Sequence, residues 1–342
     1  MPISGKTGAA DSVQRVLIDK DISIMNDSVK RTCDLISFNS QIASKAYKWN
    51  NNSSHAVFGA SYNEKEADLD RLKEISILIE KNNRFFSSLR NNYVRIALAA
   101  ELMKCNDPVS TLENIKETND ILSARFHSDH YVALASLIVY SLGKDPQLIA
   151  EKMDQIYSFL NSKHWFISSK NNLSALVFMA ASPKSADELI SESESIYNNI
   201  SSNFKFSKDD ALSISLILAI FEDPMEWKCK GLVQIMKDLK ESKIKYSSYK
   251  AASMLAPLAM LSIYKDNRSL VSEIKEASQY LSTLKVTGGF FGVNSNSRNM
   301  LAAIAVIKDL GDSELILLSE KITLVSLIYA SIEEDDSSSY TV

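Results

Sequence analysis

The chain predicts an all-α protein: an array of about seven helical hairpins, as an α-solenoid or an α/α toroid, with a helical N-terminal cap. Three observations carry this. Aromatic landmarks, each followed within a few positions by serine, stand at Trp49, Phe86, Phe126, Phe166, Phe206, Tyr246 and Phe291, spaced 37, 40, 40, 40, 40 and 45 residues apart. A period near 40 marks a repeat array. After each landmark comes a mostly apolar run and then an amphipathic one. Four of the six prolines follow Asp or Ser between such runs.

In chain order, residues 1–9 are expected to be flexible. Residues 10–48 carry Val13, Val16, Leu17, Ile22, Val29, Cys33, Leu35, Ile36, Ile42 and Ala43 at helical steps, and predict a cap over the exposed end of the array. Residues 49–332 hold the repeats, so that 10–332 is one domain. The unit at Phe126 shows the pattern. Tyr131 to Tyr140 is almost unbroken apolar sequence, Gly143 to Pro146 interrupts it, and Leu148, Ile149, Met153, Ile156, Tyr157 and Leu160 recur at three- and four-residue steps among charges. The first run predicts a helix buried on most sides and the second a helix with one wet face. Ala, Leu and Met outnumber β-branched residues, and period-two alternation is missing, which favours helix over strand. Stacked hairpins bury what one hairpin leaves exposed.

Start signals agree with this reading. Ser88, Ser128, Ser168, Ser207 and Ser247 follow their aromatics where a hydroxyl can cap a first turn. Asp107-Pro108, Asp145-Pro146, Ser182-Pro183 and Asp223-Pro224 predict second helices opening with proline at the first helical position. Ser110/Glu113, Ser185/Glu188 and Asp223/Glu226 have capping-box spacing. The tail Glu333 to Val342 is acidic and serine-rich, and is expected to be disordered.

Composition narrows the function classes. At 342 residues, 45% hydrophobic and 23% charged, the chain reads as an ordinary globular protein. A net charge of −4 and a pI of about 5.7 argue against nucleic-acid binding, which needs a basic surface to release counterions. No apolar run reaches the length of about 18 that spans a bilayer, so no membrane partner is expected. The amino terminus has no signal-peptide core, and Cys33, Cys105 and Cys229 stand far apart. Cytoplasm is the expected compartment, with buried thiols rather than disulfides.

If hairpins stack, the first turns of the apolar helices share one rim. That rim would carry Arg90, Arg95, His127, His130, Lys170, Asp209, Lys250 and Arg298 as candidate ligand-binding residues. Helix amino termini offer free amides and partial positive charge, and arginine grips carboxylates or phosphates bidentately, so a small anionic ligand is the sharp reading. Capped, hydrated first turns are the plain one. His127 and His130 share a helical face, but nothing resembles a zinc-site spacing, so no metal and no cofactor is expected. Asp209 and Asp210 are adjacent and diverge by about 100°, which unsuits them as a glycosidase pair. No G-x-S-x-G elbow or Cys–His neighbour appears, and no catalytic set is nominated. Thr287 to Gly292 holds the one glycine cluster, either a ligand-covering loop or a widened turn.

Lys48-Trp49, Phe86-Ser-Ser-Leu-Arg90 and Arg298-Asn-Met-Leu-Ala-Ala303, in this order, resemble a bacterial family catalogued as domain of unknown function number 4003. The likeness runs from about residue 15 to 310 and implies no activity. The functional expectation is therefore a non-catalytic helical-repeat protein binding a protein or peptide partner. The alternative is a binder of, or enzyme acting on, a small anionic metabolite at the first-turn rim.

Overall fold

The computed structural model describes residues 25–47, 51–82, 91–127, 129–164, 172–203, 206–244, 252–288 and 292–339. They form fifteen helices and, among the described residues, no strand. In order these are α1 (Asp27–Ala46), α2 (Asn52–Ser61), α3 (Leu69–Asn82), α4 (Asn92–Lys104), α5 (Pro108–Ser123), α6 (His130–Ser141), α7 (Pro146–Lys163), α8 (Leu173–Ala181), α9 (Ala186–Asn203), α10 (Lys208–Ile220), α11 (Met225–Glu241), α12 (Ala252–Tyr264), α13 (Asn267–Leu281), α14 (Ser295–Asp309) and α15 (Glu314–Ser339).

The helices alternate in character, as the two-run pattern requires. In α2, α4, α6, α8, α10 and α14 nearly every residue is buried, with uninterrupted stretches such as Val132–Val139 and Ala211–Ile220. In α3, α5, α7, α9, α11 and α13 burial follows the helical step, as at Leu72, Ile75 and Ile79 or Leu270, Val271, Ile274, Ala277 and Leu281. Each amphipathic helix packs closely on the apolar helix that follows it: α1 on α2, α9 on α10, α11 on α12, α13 on α14. The sequence reading pairs an apolar helix with the amphipathic one after it. The closer pair is the reverse.

Neighbouring apolar helices also touch, from α2 through α4, α6, α8 and α10 to α12. The amphipathic helices follow a parallel course along α5, α7, α9, α11 and α13. Helix α13 packs on α1, and so does α14. Side chains join these distant segments: the Tyr280 hydroxyl donates to Asp34 Oδ1 at 2.6 Å, Ser37 Oγ donates to the Lys285 carbonyl at 2.9 Å, and Asn26 Nδ2 donates to Asp309 Oδ2 at 2.7 Å. Helix α1 was expected to cover an open end. It instead packs as the other amphipathic helices do, against α2, α3, α13 and α14.

Helix α15 packs on α14, α12, α2 and α4. It runs antiparallel to α6: Lys321 Nζ donates to the Ser141 carbonyl at the end of α6, whereas the Tyr329 ring stacks on Tyr131 in its first turn, with centroids 5.2 Å apart. Its residues Glu314–Ile332 are long and apolar enough to cross a bilayer by length and composition. The run criterion passed over this helix because Glu320 and Lys321 interrupt it. Within the fold its apolar surface meets the neighbouring helices, as a core helix does. Helix α15 also continues through Glu333 to Ser339, where the sequence reading expects disorder. Extending an established helix needs no new nucleus, so polar residues follow at little cost.

Several caps differ from expectation by a residue or more. Asn91, Asp129 and Asn294 accept first-turn amides of α4, α6 and α14, and Ser207 does so for α10. An Asp or Asn oxygen serves as well as a serine hydroxyl, so the helices begin past the serines. Ser88, Ser128, Ser168 and Ser247 lie outside the described residues, as do Trp49, Phe86, Phe166, Tyr246 and Phe291. Pro108 and Pro146 occupy the first helical position behind Asp107 and Asp145. Pro183 precedes a capping box formed by Ser185 and Glu188, and Pro224 is itself the cap residue of α11. At Ser110 the box does not form, because Asp107 already takes the Val109 and Ser110 amides.

At the end of α11, Lys243 has φ 59° while Ile244 N donates to the Leu239 carbonyl at 2.9 Å. Glycine fits that left-handed position without a Cβ conflict. Lys243→Gly is expected to raise stability by about 1 kcal/mol, read as a higher urea midpoint at unchanged slope.

Buried polar groups have their own consequences. Cys33 and Cys229 are buried and Cys105 half-buried, all as free thiols; burial and the neighbouring Asp34 push the Cys33 thiol up to about 12. His164 is buried at the end of α7 with Nε2 2.5 Å from Glu194 Oε1, its ring edge-on to Tyr197. His55 in α2 is 2% exposed, and burial holds its imidazole below 6.5, partly opposed by a contact with the Tyr47 backbone. A base held neutral in the folded state stabilises fully above the unfolded value of about 6.5, and that contribution is lost as pH falls below it. Stability should therefore decline below about pH 6.5 by up to about 1.4 kcal/mol per pH unit. Urea midpoints across this range check it, and His55→Gln should flatten the slope.

Candidate functional site

The sequence reading assigns the rim to the amino ends of the apolar helices. Arg90, Lys170 and Lys250 lie outside the described residues. The others are distributed among separate contacts. Arg95 Nη2 pairs with Glu80 Oε1 of α3 at 2.9 Å. Arg298 Nη1 donates to the Thr287 carbonyl at 3.5 Å. The His130 ring tilts over Tyr131 with centroids 4.1 Å apart. His127 is exposed, Asp129 between the two histidines caps α6, and Asp209 is half-exposed in the first turn of α10. Beside it, burial raises the Asp210 carboxyl above its usual range, against the hydrogen bonds from Ser207. Among the described residues no three His, Cys, Asp or Glu side chains gather closely enough to hold a metal. Thr287, at the start of the glycine cluster, is fully buried and donates to the Leu281 carbonyl at 2.9 Å. A Cβ on Gly288 would lie 2.1 Å from the Ser282 carbonyl oxygen, so Gly288 packs tightly on that backbone; Gly289 to Phe291 lie outside the described residues.

The opposite end has a different chemistry. Here α4, α6, α8 and α10 finish, and their last carbonyls carry the negative end of the helix dipole. Each is met by a cation from another element. Arg71 of α3 donates to the Cys105 carbonyl. Lys321 of α15 reaches the Ser141 carbonyl at 2.8 Å. Lys152 of α7 reaches the carbonyls of Ser182, at 2.8 Å, and Lys184. Lys184 Nζ takes the carbonyls of Ala219 at 2.8 Å and Phe221 at 2.6 Å, together with Glu192 Oε2 at 2.6 Å. Lys228 of α11, 0% exposed, donates to Glu192 Oε1 and to the Phe221 carbonyl. Burial holds the Lys152, Lys228 and Lys321 ammonium groups below the usual lysine range, opposed by Glu188, Glu192 and Glu101 respectively.

Between the ends of α6, α8 and α10 and the start of α15 opens a groove of about 630 Å³. Leu142, Phe178, Ile220, Phe221, Leu315 and Leu318 line it, and Lys144, Glu222, Asp223, Asp312, Glu314 and Lys321 form its charged margin. Leu317, also in its wall, is 44% exposed. Two more apolar side chains stand open close by in sequence: Leu148, 65% exposed in the first turn of α7, and Trp227, 56% exposed in the first turn of α11. Sequence reasoning did not find this site. Its acids lie in turns such as Glu222-Asp223-Pro224, whose role as a helix start accounts for the residue types locally. Its floor comes from apolar helices that look fully buried in sequence.

Fold and groove together describe an all-α protein in which apolar and amphipathic helices alternate along the chain. The chain belongs to the family described as Protein of unknown function (DUF4003), whose model matches residues 39–333, in keeping with the resemblance carried by its short motifs. No curated protein and no solved structure matches it.

Proposed function

We propose that the chain is a closed α/α toroid that binds a protein or peptide partner without catalysing a reaction, the partner docking at the groove beside the first turns of α15. Packing of α13 and α14 on α1 supports the closed form, and so does the Tyr280–Asp34 hydrogen bond across that junction. A lysine-specific cross-linker should then join Lys30 to Lys285; cross-links confined to sequential hairpins would count for an open superhelix. The apolar helices already face α15, which directs a partner to the ends of the molecule.

The observation that carries the docking reading is the groove itself, an apolar floor opening onto exposed Leu317. An exposed apolar patch rimmed by charged residues is the kind of surface that marks an interaction site. A photo-cross-linking amino acid at position 317 should trap one discrete adduct in cells, whereas one at exposed Lys230 should not. The same pattern from both positions would sink the docking reading. Of the cations behind the small-anion alternative, Arg95 and Arg298 have Glu80 and the Thr287 carbonyl as partners, and Arg90, Lys170 and Lys250 lie outside the described residues. A rise in melting temperature with millimolar phosphorylated or carboxylated metabolites would move the assignment to that rim.

A further inference from the structure

We infer that the partner segment taken by this groove is cationic and amphipathic, an apolar face bordered by lysine or arginine; this rests on the docking reading above. Four carboxylates, Glu222, Asp223, Asp312 and Glu314, stand at the margin against Lys144 and Lys321. The ammonium of Lys321 is already engaged by the Ser141 carbonyl, so it is a poor anchor for an acidic guest. Asp145 and Glu226 add negative charge beside Leu148 and Trp227. Beneath the carboxylates lie the carboxyl ends of α6, α8 and α10, whose partial charge has the same sign.

The molecule itself demonstrates which ions this end takes. Lys152, Lys184, Lys228 and Lys321 all bring ammonium groups from other elements onto the last carbonyls of α6, α8 and α10 or the turns that follow them. Ammonium groups are thus held at this end repeatedly, three of them with burial opposing their charge. A partner's lysines would meet the same acceptors where they remain open at the rim. Its apolar side chains would meet Phe178, Ile220, Leu315 and Leu318. Charge complementarity of this kind sets partner choice and encounter rate more than raw affinity.

The test uses the full chain and two short fluorescent helical peptides with the same leucine face, one bordered by lysines and the other by glutamates, compared by anisotropy. The lysine peptide should bind at least about tenfold tighter. That preference should shrink when ionic strength rises from about 0.01 M to about 0.15 M, as the screening length falls from roughly 30 to 8 Å. Glu222→Lys with Asp312→Lys, two exposed turn positions, should weaken the lysine peptide and strengthen the glutamate one; circular dichroism verifies that the variant is folded. Leu317→Glu should weaken both. Equal binding of the two peptides, no binding of either, or indifference to the charge reversal would each overturn the cationic assignment. A discrete adduct at position 317 alongside such a result would leave the docking reading standing, and its loss would remove that reading as well.

Discussion

Glu192→Gln is expected to destabilise the protein by about 3–5 kcal/mol, the cost of leaving a buried charge without its counterion. The single carboxylate of Glu192 bridges two ammonium groups, Lys184 at 2.6 Å and the completely buried Lys228. With the carboxylate gone, two like charges remain within reach of the same Phe221 carbonyl. The triad also ties together α9, α11, the turn before α9 and the end of α10, so its failure spreads beyond one helix. Adding Lys228→Met to Glu192→Gln should recover part of the loss, because one of the two like charges disappears while the aliphatic volume is retained. Urea denaturation of the two variants measures both quantities. A change below about 1 kcal/mol for Glu192→Gln would mean that water, and not Glu192, balances these lysines.

Gly59→Val should be comparably harmful. A Cβ at Gly59 would lie 2.2 Å from the Ile36 carbonyl oxygen and 2.4 Å from Ser40 Oγ. That hydroxyl donates to the same carbonyl at 2.6 Å. The obstacle is backbone of α1, which cannot swing aside as a side chain would. Overpacking of this kind costs about 1–3 kcal/mol and more when backbone must move; for valine we expect about 4 kcal/mol or more. Helix α1 also packs on α13 and α14. Hydrogen exchange should therefore accelerate in α13 as well as in α1 and α2, while α7 to α9 keep their protection. Exchange confined to α1 and α2 would argue that the α1–α13 contact contributes little. Gly231 makes the related approach on α11, where a Cβ would stand 2.6 Å from the Ala259 carbonyl oxygen.

Much of the fold was legible because its signals are local. Pro108 and Pro146 behind aspartates, the apolar run Tyr131 to Tyr140 and the stepped residues Leu148 to Leu160 each announce a helix through contacts within a few residues. The caps shifted, as from Ser88 to Asn91 and from Ser128 to Asp129, because several oxygen-bearing side chains compete within one short turn. The candidate site was less legible. Arg95 and Arg298 read in sequence as free charges, and only folding gives them Glu80 and the Thr287 carbonyl. The groove could not be read from Glu222, Asp312 and Leu317, which are far apart in the chain and individually ordinary.

By itself the sequence determined an all-α chain of alternating apolar and amphipathic helices, since helical periodicity and capping are decided by neighbours three and four residues away. Tertiary structure alone decided that α13 returns to α1, that α15 lies against the apolar helices, and that the carbonyl ends of α6, α8 and α10 gather lysines around an open groove. Those outcomes depend on contacts between residues far apart in the chain, such as the hydrogen bond from Asn26 to Asp309, which no neighbour three or four residues away announces.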